Sequence, residues 1–148
     1  MAVKTLEYLQ GLSPADARRL REVGIRHSNQ LLHVTELAID RERLGKRTGI
    51  SPDRLLHFAH QCALLEISGM DPYIPVVRRL GIGDLKALKR ANPEDLHRRV
   101  VDAVGYNGAP SLSMVGYWIS QARLIDTIEE ETGEITPAEQ KALSRTVG

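Results

Sequence analysis

Two four-residue turns carry most of the chemistry in this sequence: Gly11-Leu12-Ser13-Pro14 and Gly69-Met70-Asp71-Pro72. In each, a glycine precedes an apolar residue, a helix-capping residue and a proline. The backbone amides at the start of the helix that follows can receive a phosphate. Basic residues come next: Arg18, Arg19 and Arg21, with Arg26 just beyond, after the first turn, and Arg78 and Arg79 after the second. The apolar run opened by the first turn ends at Gly24-Ile25 and that of the second at Gly81-Ile82, offsets of 58 and 57 residues. Units that each begin with a glycine-centred turn between short helices point to a tandem helix-hairpin-helix architecture, and so to nucleic acid as the first partner to test.

Other residues could do chemistry, and each has a plainer reading. Gly81-Ile82-Gly83-Asp84, followed by Lys86, Lys89 and Arg90, has two glycines that could cradle a phosphate, but by the repeat it aligns with a helix stop, the commoner use of such a glycine. The basic residues near the hairpins read equally as a solvated charged face. Leu44-Gly45, Lys46-Arg47, Gly49-Ile50, Leu55 and Phe58 have helix-turn-helix spacing, with Arg54, His57 and Gln61 as base-reading candidates; two helices packed around any glycine turn share that spacing. His57 and His60 lie one helical turn apart with Cys62 on another side, so a zinc site would need ligands from elsewhere, and boundary histidines are the better reading. Glu129, Glu130 and Glu131 would spread around a helix, poor geometry for a shared metal. No P-loop, nucleophile elbow or two-metal acidic cluster is visible, so neither an enzyme nor a cofactor is expected.

Prolines and glycines mark the elements that must position these groups. Ser13-Pro14, Ser51-Pro52, Asp71-Pro72, Asn92-Pro93 and Thr136-Pro137 are helix starts, in which a side-chain oxygen satisfies an orphan amide and proline fills the first helical position. Asp16, Asp95 and Glu139 complete capping-box patterns, and Gly24, Gly49, Gly81, Gly105 and Gly133 mark stops. The marks predict helices over 3–9, 14–23, 28–34, 36–48, 52–66, 72–80, 84–91, 93–104, 113–131 and 137–145, with Pro75 tolerated in a first turn. No sustained period-two alternation appears, which makes the fold all-α. Leu55, Leu56, Ala59, Ala63 and Ile67 form one apolar face, and Val115, Trp118, Ile119, Ala122 and Ile125 form another.

A chain of 148 residues can bury a self-sufficient core, here built mainly from aliphatic side chains because six aromatics are present. A lone cysteine excludes an internal disulfide framework. No apolar run has the length of a signal sequence or membrane span, and the cytoplasm is the expected compartment. Charge is divided along the chain: residues 1–125 carry a net +5 and residues 126–148 a net −4. The body is basic enough for weak backbone binding but falls short of a strongly basic domain.

In the order and spacing of Gly11-Leu12-Ser13-Pro14 with Gly24-Ile25, Leu44 to Ser51, Gly69-Met70-Asp71-Pro72 with Gly81-Ile82, Asn92 to Leu96, and Pro110-Ser111-Leu112 ahead of Trp118-Ile119, the sequence resembles the tandem helix-hairpin-helix family catalogued as domain of unknown function 4332. The likeness spans roughly Leu9 to Leu124. It implies a compact helical body of two SAM/HhH-like repeats and, by analogy, DNA binding, with no established activity. The hairpin of DNA-binding relatives has Gly, an apolar residue and Gly; here the last position holds Ser13 or Asp71. Serine can donate to a phosphate, whereas a carboxylate repels it.

The expected organisation is a domain over 1–131, with repeats at about 9–66 and 67–125, followed by an acidic tail or appended helix over 132–148. The expected function is non-enzymatic, sequence-independent binding of a DNA or RNA backbone through Gly11, Leu12, Ser13, Arg18, Arg19, Lys46 and Arg47, with Gly69, Arg78, Arg79, Gly83 and Lys86 as weaker candidates. The alternative is a protein-interaction or self-association module that keeps the fold without the phosphate site.

Overall fold

The structure, a computed structural model, describes residues 2–130. Among the described residues it is all-α: α1 (Pro14–Glu22), α2 (Ser28–His33), α3 (Ala38–Thr48), α4 (Pro52–Leu64), α5 (Ile74–Arg79), α6 (Leu85–Arg90), α7 (Pro93–Val104) and α8 (Leu112–Leu124). Three 3₁₀ turns, Leu6–Tyr8, Asp71–Tyr73 and Tyr106–Gly108, join them. No described helix is long and apolar enough to cross a membrane.

The repeat in the sequence is a repeat in packing. In the first four helices α1 packs on α3, α2 on α4, and α3 on α4. In the second four, α5 packs on α7, α6 on α8, and α7 on α8, and α4 meets α6 across the two units. One core runs through both. Leu20, Leu31, Leu55, Phe58, Ile67, Val77, Leu88 and Trp118 are each at most 1% exposed. Each such side chain contributes about 1.5–3 kcal/mol relative to leaving it in water.

Local capping explains most helix starts. Ser13 Oγ accepts from the Asp16 amide at 3.1 Å, and the Asp16 carboxylate accepts from the Ser13 amide at 3.0 Å, a reciprocal box. Ser51, Asn92 and Ser111 cap α4, α7 and α8 in one direction only, each side chain accepting from the amide three residues on. Asp95 breaks the expected box, because its carboxylate pairs with Arg98.

Three predicted helices differ, each for a physical reason. The stretch 3–9 is a 3₁₀ turn preceded by extended backbone, because Thr5 bridges His27, Ser28 N donates to Lys4 O at 2.8 Å and Lys4 N donates to Ser28 Oγ at 2.9 Å. Asp71 does not cap an α-helix. Pro75 lacks the amide that would bond to Asp71 O in an α-helix, so residues 71–73 close as a 3₁₀ turn through the Ile74 amide. The last predicted helix ends at Leu124 and not at 131, because the chain turns back to the first unit: Glu129 N donates to Glu36 O at 3.0 Å and Ile128 is buried. Arg41, 1% exposed, holds this return by donating to Glu129 O, and to Thr35 O at 2.8 Å. Glu129 and Glu130 are therefore not helical. The expected element over 137–145, the tail over 132–148 and Glu131 lie outside the described residues.

Candidate nucleic-acid interface

The first glycine turn lies between the 3₁₀ turn Leu6–Tyr8 and α1, against α4. Gly11 has φ +83°, and Gly69, at the matching point of the second unit, has φ +82°, a backbone state that L side chains rarely adopt. An aromatic ring lies under each turn. A Cβ on Gly11 would meet Phe58 Cε1 at 3.9 Å, and one on Gly69 would meet Trp118 Nε1 at 3.8 Å. Three residues after each ring, a glutamine fastens the backbone just before the glycine. Gln61 accepts from Gln10 N at 2.8 Å and donates to Gln10 O at 2.9 Å; Gln121 accepts from Ser68 N at 2.7 Å and donates to Ser68 O at 3.1 Å.

The two turns then part company electrostatically. At the first, the buried Asp16 carboxylate is gripped by Arg54, whose Nη1 donates to Oδ1 at 3.2 Å and whose Nη2 donates to Oδ2 and, at 3.1 Å, to Gly11 O. Arg54 holds the Asp16 carboxyl below the usual carboxylate range, against the opposing effect of burial. The anion built into the start of α1 is thereby neutralised. The amides of Leu12 and Ala15 find no acceptor among the described residues, while the Ser13 hydroxyl is engaged with Asp16, accepting from its amide and bonding its carboxylate. At the second turn the place of Arg54 is taken by Met114, and Asp71 pairs with Lys4 at 3.5 Å.

Arg18, Arg19, Lys46 and Arg47 are exposed and make no ion pair among the described residues. Arg19 reaches the end of α3, with Nη1 4.0 Å from where a Cβ on Gly49 would sit. This puts a cation of α1 beside the C-terminal turn that carries Lys46 and Arg47, where the helix dipole favours positive charge.

Several other candidates are already committed within the chain. Arg78 is half-buried, and its Nη1 donates to Gln10 Oε1 at 2.7 Å, so part of its guanidinium is already engaged within the chain. Lys86 pairs with Glu130 at 2.7 Å. Gly83 does not have a positive φ and precedes Asp84, whose carboxylate caps α6 from Ala87 N at 2.8 Å; that helix start already has its anion. Gly81, at φ +95°, follows α5 as the predicted stop. Arg79 is exposed on α5. Groove reading by α4 is corrected at two of its three positions, since Arg54 is bound to Asp16 and Gln61 is buried on Gln10. Exposed His57 stays near, its pKa lowered by partial burial and by Arg78.

Sequence reasoning missed Arg54 as the neutralising partner of the hairpin, and Gln61 and Gln121 as its fasteners. Their partners are 38 to 53 residues away. A signal was present in the repeat itself: Phe58 and Gln61 have the same three-residue spacing as Trp118 and Gln121.

Residues 10–125 match the family described as Domain of unknown function (DUF4332). No curated protein and no solved structure matches the chain.

Proposed function

We propose that this chain, which belongs to the DUF4332 family, is a non-enzymatic tandem helix-hairpin-helix module that binds nucleic-acid backbone through its first hairpin, without reading base sequence. The observation that carries this reading is the neutralised turn. Arg54 cancels the charge of Asp16 while the Leu12 and Ala15 amides remain available. Such a group of donors at the N-terminus of α1 suits a phosphate oxygen. Arg18 and Arg19 on α1 and Lys46 and Arg47 at the end of α3 supply exposed positive charge on the same unit. The second hairpin, with Asp71 and without a counterpart of Arg54, serves as scaffold.

Anisotropy of labelled duplex DNA tests the reading. With about four basic side chains displacing counterions, affinity falls about 10²-fold between 50 and 200 mM salt. Replacing Arg18, Arg19, Lys46 and Arg47 by Ala removes most of the binding and most of the salt slope in a protein that keeps its circular dichroism spectrum. Absence of binding by the folded parent protein at low salt refutes the proposal.

A second reading has an observation of its own. The outer face of α8 and the turn before it expose Tyr106, Tyr117 and Leu124, at 89%, 58% and 89%, with Leu112 and Met114 at the edges. The positions of α4 that match Leu112, Met114 and Tyr117 carry Pro52, Arg54 and His57. An apolar face on one unit alone suits a protein-interaction or assembly module. Self-association measured by sedimentation, abolished by Tyr117→Glu and indifferent to salt, would favour it.

A further inference from the structure

His60, Asp84 and Glu130 come from three separate segments: the middle of α4, the cap of α6 and the stretch after α8. Each offers one ligand atom, and those atoms all lie within 4.8 Å of one another. We infer that these three side chains form a binding site for a divalent transition-metal ion of the zinc class, joining the first unit, the second unit and the returning C-terminal segment.

The donor set is one imidazole nitrogen and two carboxylate oxygens, a borderline mixture that suits Zn²⁺ better than the all-oxygen shells of Ca²⁺ or Mg²⁺. With metal–ligand bonds of about 2.0–2.1 Å, ligands in a tetrahedron stand about 3.3 Å apart. His60 Nε2 and Glu130 Oε1 are already 3.8 Å apart. Closing the rest needs rotamer adjustments of about an ångström in side chains that are not fully enclosed.

The supporting hydrogen bonds are in place before any metal arrives. Asp84 spends Oδ1 on the Ala87 amide, which fixes the carboxylate and leaves Oδ2 for a cation. Glu130 gives Oε2 to Lys86 Nζ and turns Oε1 toward His60. Each carboxylate thus has one anchored and one available oxygen, the arrangement in which outer partners orient metal ligands. Three protein ligands leave a fourth position for water. The site is 20% exposed at His60 and 40% at Glu130, open enough for an ion to enter.

The test uses the full, untagged chain, stripped with a chelator and dialysed. Titration with Zn²⁺ followed by equilibrium dialysis should give one ion per chain, and Co²⁺ should give the visible absorption of a four-coordinate site with a nitrogen ligand. His60→Ala, Asp84→Asn and Glu130→Gln should each weaken uptake at least tenfold. Asp84→Asn matters most, because asparagine still caps α6 while losing the charged ligand, so loss of binding there cannot be assigned to unfolding. His57→Ala and Glu129→Gln should leave uptake unchanged. Failure of the parent protein to take up either ion at 100 μM, or uptake indifferent to Asp84→Asn and His60→Ala, overturns the inference.

Discussion

Arg54→Met places in the first unit the residue that the second unit has at the matching position. The substitution removes the guanidinium that donates to both oxygens of Asp16 and to Gly11 O, and leaves a carboxylate whose side chain is 3% exposed with Ser13 as its partner and no counter-charge. Breaking a fully buried pair costs about 3–5 kcal/mol and breaking an exposed pair about 0–1 kcal/mol. Arg54 is 46% exposed, so water can replace part of what is lost, and about 2 kcal/mol is expected. For a chain of this size that is a fall in Tm of about 6–8 °C at pH 7. The acid limb adds a sign. Because Asp16 is held below its ordinary range, the stabilisation from the pair is complete above about pH 4 and is lost as pH falls through the lowered pKa. The gap between parent and variant should therefore narrow as pH falls below about 4. Asp16→Asn in the same chain should recover part of the loss, since asparagine needs no counter-charge. Thermal melts followed at 222 nm decide the matter. Equal melting temperatures at neutral pH, an undiminished gap in acid, or strict additivity in the double variant would refute the assignment of Arg54 as the neutralising partner.

Other expectations follow from the same geometry. Ser13→Asp retains a helix cap but adds a charge beside the phosphate position; repulsion of about 1–3 kcal/mol at about 5 Å should weaken DNA binding measured by anisotropy. Asp71→Gly, which gives up the partly exposed pair with Lys4, should lower stability by about 1 kcal/mol or less and leave DNA affinity unchanged or raised; loss of binding in the folded variant would contradict the scaffold role of that turn. Gln61→Ala, which strips both backbone groups of Gln10 of their partner inside the protein, should cost about 2 kcal/mol in urea unfolding, more than Gln121→Ala at its more exposed site. Burial pushes the Cys62 thiol up to about 12, so it should resist a thiol-specific chromogenic reagent in native buffer at pH 8 and react fully in denaturant; rapid native labelling would contradict its place in the core.

What was legible in the sequence was local. Ser13, Ser51 and Asn92 cap the helices they precede, and α7 runs from Pro93 to Val104 as predicted, because each end is fixed by side chains within four residues of it. The helix pairings of the first four helices recur in the second four, in line with the 58-residue offset. The misreadings lie where distant contacts overrule local preference. Residues after Leu124 continue a helical pattern, yet Glu36 and Arg41 draw them into an extended return. At Asp71 the local rule itself was incomplete, since a proline four residues downstream removes the bond that a helix start needs. The candidate phosphate residues were legible as types, whereas the neutral state of their turn depends on Arg54, 38 residues from Asp16. His60 was read as wanting ligands from elsewhere, and Asp84 and Glu130 are brought to it by folding alone.

The hold of Arg41 on the returning segment bears on how this fold could be excised or fused. Family similarity ends at residue 125, yet Glu129 O is an acceptor for a guanidinium deep in the first unit, and Ile128 is buried and lines a groove with Leu32, Ala63 and Leu85. A fragment trimmed to the limit of similarity would remove Ile128 from that groove and deprive Arg41 of one of its acceptors, far from the cut itself. The physical border of the domain therefore lies at least five residues beyond the border of resemblance, and any grafted version should carry the chain through Glu130.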